Sequence, residues 1–306
     1  MATNVIILGA GELGMAMLHA LSSAAPFGTK ISVLLRSSPT PMSPEKAAQY
    51  SAITNLKVTR VPGDVANSTI TELAVIFKPY DLVISCLGFA SGPGSQLKIA
   101  QAVLAAGVKR YFPWQFGVDY DVIGRGSAQT LFDEQLDVRD LLRGQSGTEW
   151  VIVSTGMFTS FLFEGYFGVV DLEAEDGRGV VRALGSWENK VTVTTPDDIG
   201  TLTARIVFAE PAFRNEVVYT AGETIEYGTL ADLVDELLGR TVVREVWTVE
   251  GLKRELAKDP KNPVKKYRVV FAEGRGCYWD KEDTFNAKKG IEVQDVRDWT
   301  QKNLRK

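Results

Sequence analysis

The sequence predicts an α/β fold, a doubly wound parallel sheet with a smaller α+β C-terminal domain. Three observations predict it. Short apolar runs alternate with helical stretches from the N-terminus to about residue 155. The first of these runs ends in a glycine loop that opens a helix. Beyond residue 155 the alternation gives way to an aromatic run and then to mixed strands and helices. Regular alternation of strand and helix implies parallel strands with helices on both faces.

The first strand is Val5-Ile6-Ile7-Leu8, which runs into Gly9-Ala10-Gly11-Glu12-Leu13-Gly14 and then the helical stretch Met15–Ala25. A G-x-G-x-x-G loop between strand and helix is the dinucleotide fingerprint of a Rossmann domain. Gly9 allows the tight turn, Gly11 lets a pyrophosphate approach the backbone, and Gly14 lets the helix pack on the strand. Ala10, Glu12 and Leu13 complete the loop, and the unpaired N–H groups of the helix start receive phosphate charge.

The second strand, Lys30–Leu35, is followed by Arg36-Ser37-Ser38, and no acidic residue occurs between Gly14 and Glu45. An Asp or Glu at the end of this strand would hold the ribose hydroxyls of NAD and repel a 2′-phosphate. A guanidinium binds that phosphate through paired charge-assisted hydrogen bonds, and Ser37 adds a donor. The reading is therefore NADPH/NADP, with Arg36 and Ser37 as its determinants.

Asn55–Val61 reads as a third strand ending at Gly63-Asp64, Ile70–Phe77 as a helix and Asp81–Gly88 as a fourth strand. The end of that strand, with Leu87, Gly88 and Phe89, lies beside the glycine loop, because ligands collect at the carboxyl ends of such strands. Gln96–Ala106 has amphipathic helical spacing, Gly107 stops it, and Val108–Phe112 enters a fifth strand. Ser127–Arg143 reads as a helix and Glu149–Ser154 as a strand.

Composition narrows the partners. A formal charge of −4 with interspersed signs gives no stripe for nucleic acid and no polybasic membrane anchor, and no apolar segment approaches a membrane span. The chain reads as cytoplasmic, and as a monomer or homodimer. Cys86 and Cys277 are its two cysteines and read as free thiols. His19 is its one histidine and reads as a helix-surface residue, so neither a histidine triad nor a histidine-rich metal site is expected; no metal is assigned.

Gly9–Gly14, Arg36, Gly63-Asp64, Asp81–Ser85, Ala105–Pro113, Phe116-Gly117, Val138-Arg139 and the strand Thr148–Val153 together resemble the isoflavone reductase-like, or NmrA-like, branch of the atypical short-chain reductases. The resemblance implies an NADPH-binding Rossmann domain and a smaller domain that closes a substrate cleft. It also implies reduction of a small aromatic secondary metabolite or, in a regulatory sub-branch, dinucleotide sensing without turnover. A non-redox enzyme on the same scaffold is a further alternative. On this basis residues 1–155 form the NADP-binding domain, with 190–222 returning to it, and residues 156–189 and 223–306 bind substrate. Gln115 and Gly156 are placed at the cofactor.

Two departures bear on the chemistry. The family's usual Pro-Ser-Glu-Phe-Gly is here Pro113-Trp114-Gln115-Phe116-Gly117. The lysine that handles the proton in those reductases, three residues before Val-Arg, is here Gln135. An amide is no general acid or base. Leu131, Gln135, Val138 and Leu142 fall on one helix stripe, so Gln135 interrupts an apolar face. It either orients a substrate carbonyl or the nicotinamide ribose, or is a satisfied core amide. None of the nine tyrosines is followed four residues later by lysine, which excludes the Tyr-x-x-x-Lys pair. Tyr120, flanked by Asp119 and Asp121, and Asp133 are the other candidates for proton transfer.

The aromatic run Thr155–Phe167 follows the strand that ends at Ser154 and reads as the cleft wall. Trp114, Phe158, Phe161 and Tyr166 are the candidates for binding a flat apolar substrate. Thr195-Pro196-Asp197-Asp198 reads as a capped helix start, so its carboxylates are structural. Gly228–Leu238 and Val249–Ala257 read as helices, Val242–Thr248 as extended and Lys258–Lys266 as a loop. Tyr278 and Trp279 are read as reaching the cleft, and Val293–Leu304 as a closing helix.

Overall fold

In the computed structural model, which describes residues 4–37, 42–88, 92–173 and 178–304, strands and helices alternate as far as residue 154. The elements are β1 (Asn4–Leu8), α1 (Glu12–Ala24), β2 (Lys30–Leu35), α2 (Pro44–Asn55), β3 (Thr59–Pro62), α3 (Ile70–Phe77), β4 (Leu82–Ser85), α4 (Ser95–Ala106) and β5 (Arg110–Phe112). The short α5 (Tyr120–Ile123), α6 (Leu131–Arg143) and β6 (Glu149–Ser154) follow. Then come β7 (Met157–Phe158), β8 (Val170–Asp171), β9 (Val180–Leu184), β10 (Lys190–Thr194), α7 (Pro196–Val207), β11 (Glu216–Tyr219) and β12 (Glu223–Glu226). The chain closes with α8 (Tyr227–Leu238), β13 (Val243–Trp247), α9 (Val249–Lys258), α10 (Pro263–Glu273), α11 (Phe285–Lys288) and α12 (Val296–Asn303).

The chain divides into two units of similar length. The first holds Met1–Gln115, Glu134–Val153 and Ile199–Val218, and the second holds Phe116–Asp133, Ser154–Asp198 and Tyr219–Lys306. The large sheet has the order β11-β6-β5-β4-β1-β2-β3, and the pairs from β6 through to β3 are parallel. This is the order of a dinucleotide-binding doubly wound sheet. Val5, Ile6, Ile7 and Leu8 have no exposed surface, as a strand covered on both faces requires. Ile6 and Leu8 share one core cluster with Leu73 and Phe77 of α3, Ile99 and Val103 of α4, and Val138 and Leu142 of α6. Helix α1 meets α7 backbone to backbone, since a Cβ on Gly200 would stand 2.7 Å from the Ala16 carbonyl oxygen.

Several expectations need correction. Helix α2 lies in a stretch to which no element is assigned from the sequence. It is capped by Ser43, whose hydroxyl accepts the Lys46 N–H at 3.3 Å, and only Ile53 of its residues is buried, so it has no apolar stripe to read. The strand expected from Asn55 starts at Thr59, after a turn in which Lys57 takes φ 59°. The stretch Lys258–Lys266 is no continuous loop: the Asn262 side chain accepts the Val264 and Lys265 N–H groups at 3.0 and 3.1 Å and starts α10 at Pro263. Of the strands in residues 190–222, β11 joins the large sheet, whereas β10 pairs antiparallel with β12 and parallel with β7.

The second unit holds two three-stranded sheets, β12-β10-β7 and β13-β9-β8. Thr195 caps α7 as expected, accepting the Asp198 N–H at 3.1 Å while donating to Asp198 Oδ2 at 2.7 Å. Among the described residues no helix is long and apolar enough to cross a membrane. Cys86 and Cys277 are both buried and free.

Glu223, in the same unit, accepts the Val296 N–H at 2.7 Å. Burial raises its carboxyl pKa, with Asp295 adding to the rise, against the opposing pull of the Val296 N–H, Lys281 and Arg297. A pKa raised on folding favours the folded state below the unfolded carboxyl range, and that advantage is lost as pH rises through the raised value. Glu223→Gln keeps an acceptor for Val296 and removes the titration. The expected outcome is unchanged thermal stability near about pH 4 and higher stability than the parent near about pH 7.5, measured as Tm across that range.

Candidate functional site

The candidate site of the first unit is built on the turn from β1 into α1. Gly9 has φ 89°, and a Cβ there would meet Leu87 Cδ2 at 2.7 Å. A Cβ on Gly14 would stand 2.3 Å from the Gly9 carbonyl oxygen, so helix and loop touch through backbone alone. Around Gly11 a Cβ would meet nothing within 4 Å, which leaves open space above the N-cap. Gly11 offers no side-chain cap to α1. The dipole of α1 favours negative charge at this end. Glu12 is exposed in that turn, whereas Leu13 and Ala10 are buried and contribute through their backbone.

Gly9, Ala10 and Gly11 line a cavity of about 370 Å³ whose other walls are Leu34–Arg36, Lys46, Gln49, Gly63–Ala66 and Cys86–Gly88. Leu87 and Gly88 thus share this cavity with Gly9, Ala10 and Gly11. Arg36 is exposed at the end of β2, with Ser37 exposed beside it; Ser38 and Phe89 lie outside the described residues. Lys46 and Gln49 were not anticipated, and both come from α2. Lys46 Nζ donates to Gln49 Oε1 at 2.8 Å, and Gln49 Nε2 donates to the Ala10 carbonyl. The signal for them was Ser43-Pro44-Glu45, a capped helix start. The Asp64 carboxylate accepts from Asn67 and from the Ala66 N–H, both at 2.9 Å. The Asn67 hydrogen bond chiefly holds its pKa below the usual range, and nearby Arg36 assists. Burial pushes the Cys86 thiol far up, so it serves as packing and not as a thiolate.

Helix α6 brings a buried polar group into the same unit. Gln115, Gln135 and Arg139 have no exposed surface. Arg139 Nε donates to Gln115 Oε1 at 2.8 Å, and Gln115 Nε2 donates to the Gln135 carbonyl at 2.9 Å. The Gln115 amide is thus committed to the interior. Neither side-chain atom of Gln135 has a hydrogen-bond partner among the described residues. Trp114 is half-buried and lies against Gly88, where an added Cβ would come within 3.2 Å of the indole.

The remaining candidates belong to the second unit. Tyr120 is buried, its ring edge-on to Phe132 at 5.0 Å, and its hydroxyl lies against Gly117. Phe132 also meets Tyr267, at 5.7 Å, and Phe161 meets Tyr267, Tyr166 and Phe167 at 6.5, 5.5 and 4.8 Å. Tyr120, Phe161 and Tyr166 are thus parts of one aromatic cluster. Phe158 is half-buried just before the 3-10 turn Thr159–Phe163. Asp133 accepts the Gly126 N–H at 3.0 Å and so holds a loop. Gly156 has φ 73° and presses on β10: a Cβ would stand 2.0 Å from the Thr192 carbonyl oxygen. Tyr278 and Trp279 line a cavity of about 590 Å³ with Asp119 and Tyr219, whose hydroxyl donates to Asp119 Oδ2 at 2.6 Å. His19 is exposed.

With this geometry in hand, residues 1–283 match the model of the NmrA-like family. The chain belongs to the NmrA-like family. This NmrA-like protein is 51% identical over 302 residues to an NmrA-like family domain-containing oxidoreductase of Gibberella moniliformis, covering 98% of this chain and 97% of that relative. A crystal structure of isoflavone reductase superposes with TM-score 0.80 at 21% identity, over 99% of each chain. The NADPH complex of leucoanthocyanidin reductase from Vitis vinifera superposes with TM-score 0.75 at 22% identity, over 98% of this NmrA-like chain and 94% of that one.

Proposed function

We propose that this protein is an NADPH-dependent reductase of a polarised C=C, C=N or C=O bond in a small aromatic metabolite. The observation that carries the reading is the cavity at Gly9–Gly11, lined by Arg36 from the end of β2 and Lys46 from α2, with its carboxylate, Asp64, placed after β3 and not after β2. The loop fits a dinucleotide, because Gly11 opens space above an uncapped helix start. Arg36 and Lys46 would hold the 2′-phosphate, and the α1 N–H groups the pyrophosphate. The oxidoreductase name of the 51%-identical relative supports redox chemistry, and the reductases of similar fold support an aromatic substrate.

When bound, NADPH would supply a hydride. The chain's own contribution is to bind, orient and exclude water. Gln135 holds a neutral donor and acceptor in place of a proton carrier. It would orient a carbonyl or hydroxyl and leave the proton to solvent. Residues 156–189 and 223–306 are proposed to bind substrate, with Trp114, Phe158, Phe161 and Tyr166 as its aromatic contacts. We place the protein in the cytoplasm, as a monomer or homodimer.

The test is deuterium transfer from C4-labelled NADPH, each face in turn, into metabolites extracted from the source cells, followed by mass spectrometry. Label in one metabolite, lost in Arg36→Ala, is the expected result and names the substrate. Tight NADPH binding without transfer to any metabolite in extracts of several growth conditions would overturn it in favour of a dinucleotide sensor, a reading that the non-ionisable Gln135 also suits.

A further inference from the structure

The start of α4 is capped from 40 residues away. Its N-cap, Gly94, has φ 79° and no side chain. Glu134 fills that role, accepting the Gly94 N–H on Oε2 at 2.8 Å and the Gln96 and Leu97 N–H groups on Oε1 at 2.7 and 3.1 Å. Gln96 is 3% exposed, and its Nε2 donates to the Leu87 carbonyl at 2.7 Å. Leu87 and Gly88 form one wall of the cavity at the glycine loop, and Leu87 is also the side chain against Gly9. One carboxylate on α6 thus fixes, through three backbone donors and one amide, the wall opposite Arg36.

We propose that Glu134 is a positioning residue for the nicotinamide half of the dinucleotide. The polarity follows from the sheet. β1 lies between β2 and β4, so the Arg36 and Leu87 ends stand on opposite sides of the glycine loop, about 10 Å apart at ordinary strand spacing. With the 2′-phosphate at Arg36, the nicotinamide half lies towards Leu87–Gly88. A second consequence concerns anions. The start of α4 would itself attract phosphate, but its donors are already held by Glu134, so the pyrophosphate is directed to the start of α1. The inference rests on the NADPH reading above.

The experiment compares binding of NADPH with binding of adenosine 2′,5′-bisphosphate, which carries the 2′-phosphate and lacks nicotinamide, by titration calorimetry on the full chain. Glu134→Gln is expected to leave the bisphosphate within about twofold of the parent and to weaken NADPH about tenfold, the loss of one charge-assisted hydrogen bond. The emission of bound NADPH should fall towards that of free NADPH. Gln96→Met, which cuts the link to Leu87 and keeps the cap, is expected to show the same selective loss; it serves also where Glu134→Gln fails to fold. Equal losses of both ligands, or unchanged NADPH binding in Gln96→Met, would overturn the inference while leaving the NADPH reading intact. A parent protein that binds neither ligand overturns both.

Discussion

Arg36→Ala is expected to weaken NADPH by about 10- to 100-fold, the range of a lost charge-assisted hydrogen bond, and to leave NADH within about threefold. Arg36 stands at the end of β2, and Lys46 of α2 lines the same cavity. Asp64 lies near Arg36 and is itself bound by Asn67 and the Ala66 N–H. On the proposed reading a 2′-phosphate would meet two cations there, and NADH would offer them nothing. Because Arg36 is exposed, the difference should shrink as ionic strength rises through the physiological range. Lys46→Ala should show the same selectivity with a smaller loss, since a lysine gives a point charge and not a fork. Direct binding titrations of both nucleotides at two salt concentrations check it. Equal loss of NADH and NADPH would remove the phosphate argument.

The second large effect concerns Gln135. Its amide is fully buried and unpaired among the described residues, and a buried amide left unpaired costs about 1–3 kcal/mol. Gln135→Leu removes both orphaned atoms at similar volume. The protein without ligands is expected to gain stability of about that size, read in denaturant unfolding, while reduction of its substrate falls. A loss of stability would show the amide to be part of the core's own hydrogen bonding and would sink its role towards a ligand. Gln135→Lys is expected to bring no gain in rate and to destabilise, because it places a second cation four residues from fully buried Arg139. A large gain in rate would instead identify Gln135 as a disabled proton-handling position.

The parts of the fold that were legible in the sequence are those written in one kind of local signal. The loop Gly9–Gly14 is read from spacing, and its atoms fill the roles that spacing assigns: backbone contact at Gly14, open space at Gly11, a left-handed turn at Gly9. Ile70–Phe77 and Glu149–Ser154 have clean apolar patterns and fall where expected. Helix α2 has one buried residue, so periodicity is silent about it, and with it went Lys46 and Gln49. A capping sign is present at Ser43-Pro44, and at Asn262-Pro263 it is masked by charge and proline content. Long-range polar links leave no periodic trace at all. Nothing local in Glu134 announces a helix start 40 residues earlier, and nothing in Gln115 announces Arg139. The orphaned state of Gln135 became visible only when its neighbours were placed.

Helix α1 touches backbone on two sides, at Gly14 against the Gly9 carbonyl and at Ala16 against Gly200. A single methyl group at either glycine would drive the anion-receiving turn out of place. The turn and its supports therefore leave no room for a side chain at Gly14 or Gly200. Arg36 and Lys46 sit outside this constraint, one exposed after its strand and the other on a helix with one buried residue. An engineer seeking to change which nucleotide the protein prefers has free choice there and almost none in the glycine loop.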